Sequence, residues 1–325
     1  MRDVAQRAGV SIRTVSRAIN KQGEITEETR QRVLAAVEEL GYRPSKVAQA
    51  LVTHRTETIG FILGDIANPY FSEFARGVMD TAEAEGYNVF ICNSDGKSDK
   101  EIRAAESLVD HGVDGIILFP DYASESKLKA FAEIYAPLVI VNRPFYHQKI
   151  GLVLTQIRQG AVLAVDYLVG KGHTAIAMIA GPGPIDQMQR AKGYRDVLVS
   201  HGLPVADEWI LPGPAILEHG AKSTRHLLIK HPQVTAIFCY NDLIAMGAIQ
   251  ACKEMGRRVP DDCAIIGFDD IRFAAMADPP LTSVHVDIYS LGQQATCLLF
   301  NMLDNPDSSF PPVYADVKLV IRASA

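Results

Sequence analysis

Arg13, Ser16, Arg17 and Asn20 follow one another at i, i+3, i+4 and i+7, so a helix through them carries all four on one face. Val15, Ala18 and Ile19 take the opposite face. A guanidinium can pair with O6 and N7 of guanine, which suits Arg13 and Arg17, and Ile12 can pack on a thymine methyl. Ser11, Thr14, Ser16 and Asn20 are short donors suited to phosphate oxygens, which position a protein on a duplex without specifying sequence. A solvated helix face is the usual fate of such a stripe. Here it lies on the second of two short helices joined by a tight turn inside a basic segment, which favours DNA readout.

A second constellation is scattered along the chain. Tyr70-Phe71, Asn142-Arg143, Asn241 and Asp269 fall at or just after the ends of apolar runs, and Arg190 joins them as a pocket position that the family resemblance given below implies. Asp269, Asn241 and Arg190 together supply acceptors and forked donors, the mixture a polyhydroxylated ligand needs. Catalytic patterns are missing. The nine histidines show no H-E-x-x-H spacing, and no G-x-S-x-G elbow occurs. Gly181-Pro-Gly-Pro184 lacks both G-x-G-x-x-G and G-K-[ST], so it reads as a rigid strand-to-helix turn. Five separated cysteines without a C-x-x-C pair argue for buried thiols in a reducing cytoplasm rather than zinc or disulfides. The expectation is a chain that is not an enzyme and needs no metal or cofactor.

The elements that carry these residues follow from charge and periodicity. Residues 1–57 hold ten Lys/Arg against seven Asp/Glu, whereas the other 268 residues hold 22 against 31. A basic head on an acidic body suggests that one end meets a polyanion. Val4, Ala5 and Ala8 form the stripe of a first helix, Gly9 permits a turn, and Ser11 can cap the second helix. A third helix opens at Thr26, is expected to bury Val33, Leu34, Val37 and Leu40, and stops at Gly41. After Pro44, the segment Ser45–Leu51 has length for about two helical turns, too few to be stable alone in water. From Thr58 onward, short β-branched or aromatic runs alternate with amphipathic helices: Thr58–Leu63, Tyr87–Cys92, Gly115–Phe119, Leu138–Asn142, Ala175–Ala180, Thr235–Cys239 and Ala264–Phe268. That pattern means parallel sheets covered on both faces, too many strands for one sheet, and a cleft between two doubly wound subdomains. At 48% hydrophobic and 22% charged, with no run of ~18 uncharged apolar residues and charges throughout the first twenty, neither a membrane helix nor a signal peptide is expected.

M-R-D-V-A-Q-R-A-G-V-S-I-R-T-V-S-R-A-I-N closely resembles the DNA-binding head of the LacI/GalR (lactose-repressor) family of transcriptional regulators. The likeness runs on through Gly41-Tyr42-Arg43-Pro44, V-A-Q-A-L, I-G-F-I-L, A-N-P-Y-F, D-G-I-I-L, A-G-P-G-P, Tyr240-Asn241-Asp242 and I-G-F-D-D, nearly the whole chain. It implies an α/β protein: a three-helix helix-turn-helix head over 1–44, a hinge helix and linker over 45–57, and an effector-binding and dimerisation domain over 58–325. That domain would comprise two doubly wound parallel-sheet subdomains of periplasmic-binding-protein type, roughly 58–156 with 288–314, and 157–287 with 315–325. The implied partners are a double-stranded, pseudo-palindromic DNA operator, a small sugar-like effector and a second copy of the chain, with no membrane. By similarity, Ile12 and Arg13 begin the base-reading helix, Arg17 is a further base contact, and Leu51 wedges into the minor groove. Asp186 joins the pocket residues as a position able to offset three departures: Thr155-Gln156 for Asp-Asn, Ala215 for an aromatic, and Val286 for Gln. The chain ends in a strand-like Val317–Ile321 and not in the leucine-heptad helix of tetrameric relatives, so a dimer is expected. Relatives carry a few residues before the position of Asp3, and a native extension there is expected to strengthen DNA binding. A transport-type sugar-binding protein or a doubly wound enzyme is the alternative function.

Overall fold

In a computed structural model described over residues 1–19, 23–42, 55–120, 123–135, 137–144, 147–182 and 184–325, the chain divides into Met1–Thr58 and Ile59–Ala325. The apolar stripes of the first unit become α1 (Arg2–Ala8), α2 (Ile12–Ile19) and α3 (Glu27–Glu39). Gly9 takes φ 66°, the left-handed conformation that ends α1 and turns the chain into α2. Ser11 Oγ accepts the Thr14 N–H at 3.1 Å, and Thr26 Oγ1 accepts the Thr29 N–H at 3.3 Å, so hydroxyls cap both following helices. Val4, Ala5, Ala8, Val15, Ala18, Val33 and Ala36 are buried together. Leu34 and Leu40 are a correction to the sequence reading, being 41% and 44% exposed. Leu34 lies a quarter-turn away from the Val33–Ala36 seam, and Leu40 is the C-cap, where the helix has run out.

The second unit repeats one topology. Its first half contains β1 (Thr58–Leu63), α4 (Pro69–Ala84), β2 (Asn88–Asn93), α5 (Ser98–Asp110), β3 (Gly115–Leu118), α6 (Glu125–Ile134), β4 (Leu138–Val141) and β5 (Ile150–Thr155). The second half contains α7 (Ile157–Gly170), β6 (Ile176–Ile179), α8 (Pro184–Ser200), β7 (Ile210–Leu211), α9 (Leu217–Lys230), β8 (Ala236–Cys239), α10 (Asp242–Glu254), β9 (Ala264–Asp269) and β10 (Thr282–Val286). Then α11 (Ile288–Asp304) returns to the first half, β11 (Val313–Ala315) adds a strand there, and β12 (Val317–Val320) adds one to the second sheet. The orders are β11-β5-β4-β3-β1-β2 and β12-β10-β9-β8-β6-β7. Within each, the strand order reverses beside the first strand, leaving a crevice at that switch point.

Pairing is parallel in β1–β3, β3–β4, β4–β5, β6–β8, β8–β9 and β9–β10, and antiparallel only where β12 joins β10 among the registered pairs. Strands β3, β4, β5, β6, β8 and β9 are buried at every residue, as helices on both faces require. β5 and β10 were absent from the runs read as strands. The chain passes between the sheets three times, after β5, β10 and β11, and the side chain of Gln156 donates to Asp316 across two of these passages at 2.6 Å. Cys239, Cys252 and Cys263 are buried, but Cys92 is half-buried and Cys297 exposed, so burial holds for three of the five thiols.

Helices α9 and α10 pack backbone to backbone. A Cβ on Gly247 would stand 2.0 Å from the Leu217 carbonyl oxygen, and one on Gly220 would stand 2.1 Å from that of Ile244. Gly247→Ala is therefore expected to cost about 1–3 kcal/mol by forcing the helices apart. Gly170→Ala, with nothing within 4 Å of its added Cβ, is the control and should be neutral or gain up to ~1 kcal/mol. Urea unfolding of both variants checks this; equal midpoints would mean that the contact is not tight.

Candidate functional site

On the head, α2 presents Ser11, Ile12, Arg13 and Arg17 exposed and Thr14 and Ser16 half-buried, while Val15 and Ala18 face the core. Ile12, a large apolar side chain, is 46% exposed. Asn20 and Leu51 lie outside the described residues, as does the Ser45–Leu51 segment.

In the body, the cleft forms where strands of both sheets run out. β1 leads into Asn68, whose side chain accepts the Tyr70 N–H at 3.1 Å and starts α4, so that Tyr70 and Phe71 stand at the helix mouth. β3 ends into Phe119, whose ring meets Phe71 edge-on at 5.2 Å and Tyr70 at 6.0 Å. β4 ends into Asn142 at φ 59°. Its Oδ1 accepts the Thr155 N–H at 2.8 Å, and its amide donates to the Tyr70 hydroxyl at 3.3 Å. One wall is thus an aromatic corner with an amide edge.

The facing wall is charged. Arg190 on α8 is 5% exposed, its guanidinium carbon 4.0 Å from the Tyr240 ring centre and 4.3 Å from that of Phe268, with Asp269 at 3.8 Å. Stacking between two rings holds the planar fork in one orientation, a pose an ammonium cannot reproduce. Asn241 caps α10 by accepting the Ile244 N–H at 3.0 Å through Oδ1. Asn68, Tyr70, Phe71, Phe119, Asn142, Arg190, Tyr240, Asn241 and Asp269 all border one cavity of about 620 Å³, counting its open mouth. Thr155, Ala215 and Val286 line it too.

Of the residues proposed from sequence, Arg143 is not brought into this cavity. Its guanidinium donates instead to the carbonyls of Pro120, at 3.2 Å, and Ala123. Asp186 lies on α8, but its side chain is outside the described residues. The reading missed Phe119, Tyr240 and Phe268 as walls. All three end an apolar strand, and that position was the available signal.

Asp269 owes its pose to a buried carboxyl. Asp242 is fully buried; its Oδ2 accepts the Ile271 N–H at 2.7 Å and its Oδ1 accepts the Ser283 hydroxyl at 2.6 Å. Ser283 Oγ in turn accepts the Asp270 N–H at 3.1 Å. These bonds clamp two consecutive residues in the left-handed region, Asp269 at φ 101° and Asp270 at φ 55°. Burial, then the neighbouring Asp269, pushes the Asp242 carboxyl well above the usual carboxylate range.

Residues 1–45 match the family described as bacterial regulatory proteins, lacI family, and residues 165–325 match a periplasmic binding protein-like domain. The ribose operon repressor of Halalkalibacterium halodurans is 36% identical over 323 residues, 99% of this chain and 96% of that protein. A lac repressor dimer bound to operator and the anti-inducer ONPF superposes with a TM-score of 0.88 at 27% identity, covering 99% of this chain and 97% of the other. The complex of transcriptional regulator CelR with cellobiose gives 0.77 at 28% identity, covering 99% and 98%.

The state of Asp242 fixes a pH dependence. A carboxyl whose native pKa is raised stabilises fully below its unfolded value of about 3.9 and loses that contribution as pH rises through the native one. The native state of Asp242→Asn has no such proton to lose. Stability of the wild type relative to this variant is expected to fall from pH 4 towards pH 8, measured by urea unfolding at each pH. Parallel curves would show that Asp242 is ionised in the fold.

Proposed function

The chain belongs to the LacI family of bacterial regulatory proteins, and from that premise we propose an effector-responsive transcriptional repressor that reads operator DNA as a homodimer. It is a regulator and not an enzyme, in keeping with its relatives. The observation that carries the reading is one chain holding both an exposed, basic helix face on α2 and a cleft with an aromatic wall opposite Arg190, Asn241 and Asp269. Among the described residues no helix is long and apolar enough to cross a membrane. A cytoplasmic location is the reading that fits a protein acting on DNA.

The division of labour proposed is 1–44 for the major groove, 45–57 as hinge and linker, and 58–325 for effector and partner subunit. Ile12, Arg13 and Arg17 read bases, Ser11, Thr14, Ser16 and Asn20 hold phosphates, and Leu51 enters the minor groove. Tyr70, Phe71 and Asn142 on one wall, with Arg190, Asn241 and Asp269 on the other, hold a sugar or sugar derivative; Asp186 is proposed beside them on α8. The solved relatives with cellobiose or ribose bound make sugars the first ligands to try. Such a ligand shifts operator binding only through unequal affinity for the two states of the body.

The test uses an operator selected from a random duplex pool. Arg17→Ala is expected to lose about 1–3 kcal/mol on that operator and relax preference at one base pair per half-site, with little change on scrambled DNA. Equal weakening on both duplexes would make Arg17 a phosphate contact. Arg190→Met should leave operator affinity intact while abolishing its response to whichever of ribose, cellobiose or related sugars acts on the wild type. An undiminished response in Arg190→Met would move the effector out of this cleft.

A further inference from the structure

Asp269 ends β9 and borders the cleft; Asp270 follows it and does not. The Asp270 side chain, 11% exposed, is held instead by two other elements. Arg322 Nη1 stands 2.7 Å from its Oδ1, and His285 Nδ1 lies 3.0 Å from its Oδ2. His285 belongs to β10, where it is paired beside Asp269. Arg322 comes two residues after β12. A carboxylate so little exposed is costly to leave without a cation, and the charge of this one already bears on Asp242.

Arg322 is itself braced. Its backbone N–H donates to Thr282 Oγ1 at 2.9 Å, and its Nη1 donates to the Leu281 carbonyl at 2.7 Å. Two residues on, Ser324 Oγ accepts the Thr282 N–H at 2.8 Å and donates to the Ile265 carbonyl at 2.5 Å. The Ser324 carbonyl accepts the Ile265 N–H at 2.7 Å. The guanidinium therefore rises from backbone stitched to both β9 and β10, a support that fixes a charge in place. Asp269 and Asp270 are consecutive and both left-handed, at φ 101° and 55°, so the direction of one side chain constrains that of the other. We propose that Arg322 is a positioning residue for the cleft: by gripping Asp270 it holds the Asp269 carboxyl where a bound effector meets it. Calling that ligand an effector is the one part that rests on the regulator reading.

The experiment follows amide hydrogen exchange in the full chain by ¹⁵N TROSY. Ile271, whose N–H is bonded to Asp242, reports the turn, and Ala180, bonded to the Leu211 carbonyl in the same sheet, is the control. Arg322→Met is expected to speed exchange at Ile271 about tenfold and to leave Ala180 within about twofold. In an Asp270→Asn background the same change should add less than about twofold, since the group through which Arg322 acts is gone. Equal acceleration at both amides would make Arg322 a general stabiliser, and full acceleration in the Asp270→Asn background would make Leu281 its working partner. Either result overturns the proposal. A second arm titrates ribose and cellobiose. Whichever sugar shifts operator binding by the wild type should bind Arg322→Met about tenfold more weakly, with sugar-free operator affinity held within about twofold. Unchanged sugar affinity overturns the proposal as well. A wild type that answers to neither sugar counts against the effector reading alone, and the exchange arm then decides whether Arg322 positions the turn.

Discussion

A parallel strand covered by helices on both faces has nowhere to put polar side chains except its ends. Four of the strands that lead into the cleft obey this constraint. β3, β4, β6 and β8 are buried throughout, and their first residue bordering the cleft comes one or a few positions after the strand stops, as Phe119, Asn142, Pro182 and Tyr240. Because both halves share one strand order, their switch points fall at equivalent places. Three passages of the chain tie the halves together, so the two sets of strand ends border one cavity. The site is a consequence of where buried strands must stop.

The second wall shows how a low-dielectric setting is made to carry charge. Arg190 lies between the Tyr240 and Phe268 rings, where the faces of two aromatic quadrupoles offset part of its lost hydration. Burial, and then Asp269, pushes the Asp242 carboxyl well above the usual carboxylate range. By accepting from Ile271 and Ser283 it anchors the 269–271 turn. An ionised Asp242 would set two carboxylates against each other directly under the cleft, at a cost set by the weak screening there.

Helix faces were legible in the sequence because three-to-four-residue spacing survives folding unchanged: Val4, Ala5, Ala8, Val15 and Ala18 are buried where periodicity puts them. Most of the apolar strands were legible as short β-branched runs, though β5, equally apolar, was not read. β10 was not, since Ser283 and His285 interrupt its apolar run; Ser283 is there to serve Asp242, a partner 41 residues away in sequence. Leu34 and Leu40 show the converse failure, apolar residues in helical register that stay exposed among the described residues. Arg143 shows the limit of inferring a role from position. It follows a strand end as Asn142 does, yet its longer side chain reaches the carbonyls of Pro120 and Ala123. Chain length between a backbone position and a site is not written in the residue pattern.

The split of the cleft between two sheets also sets what an effector must achieve. Moving a two-state body from about 1:99 to 99:1 takes a differential affinity of about 5.5 kcal/mol. In a body whose two states differ by rotation of the halves about the three passages, contacts to one wall alone would persist and would bind a ligand without biasing the state. The bias has to come from groups reached only when both walls are in place. Hydrogen bonds to charged groups contribute about 1.5–3 kcal/mol each. Two to four such bonds to Arg190 and Asp269, the contacts proposed for a ligand resting on Tyr70 and Phe71, would be enough. A ligand lacking groups for the polar wall would bind and leave the DNA-bound population unchanged.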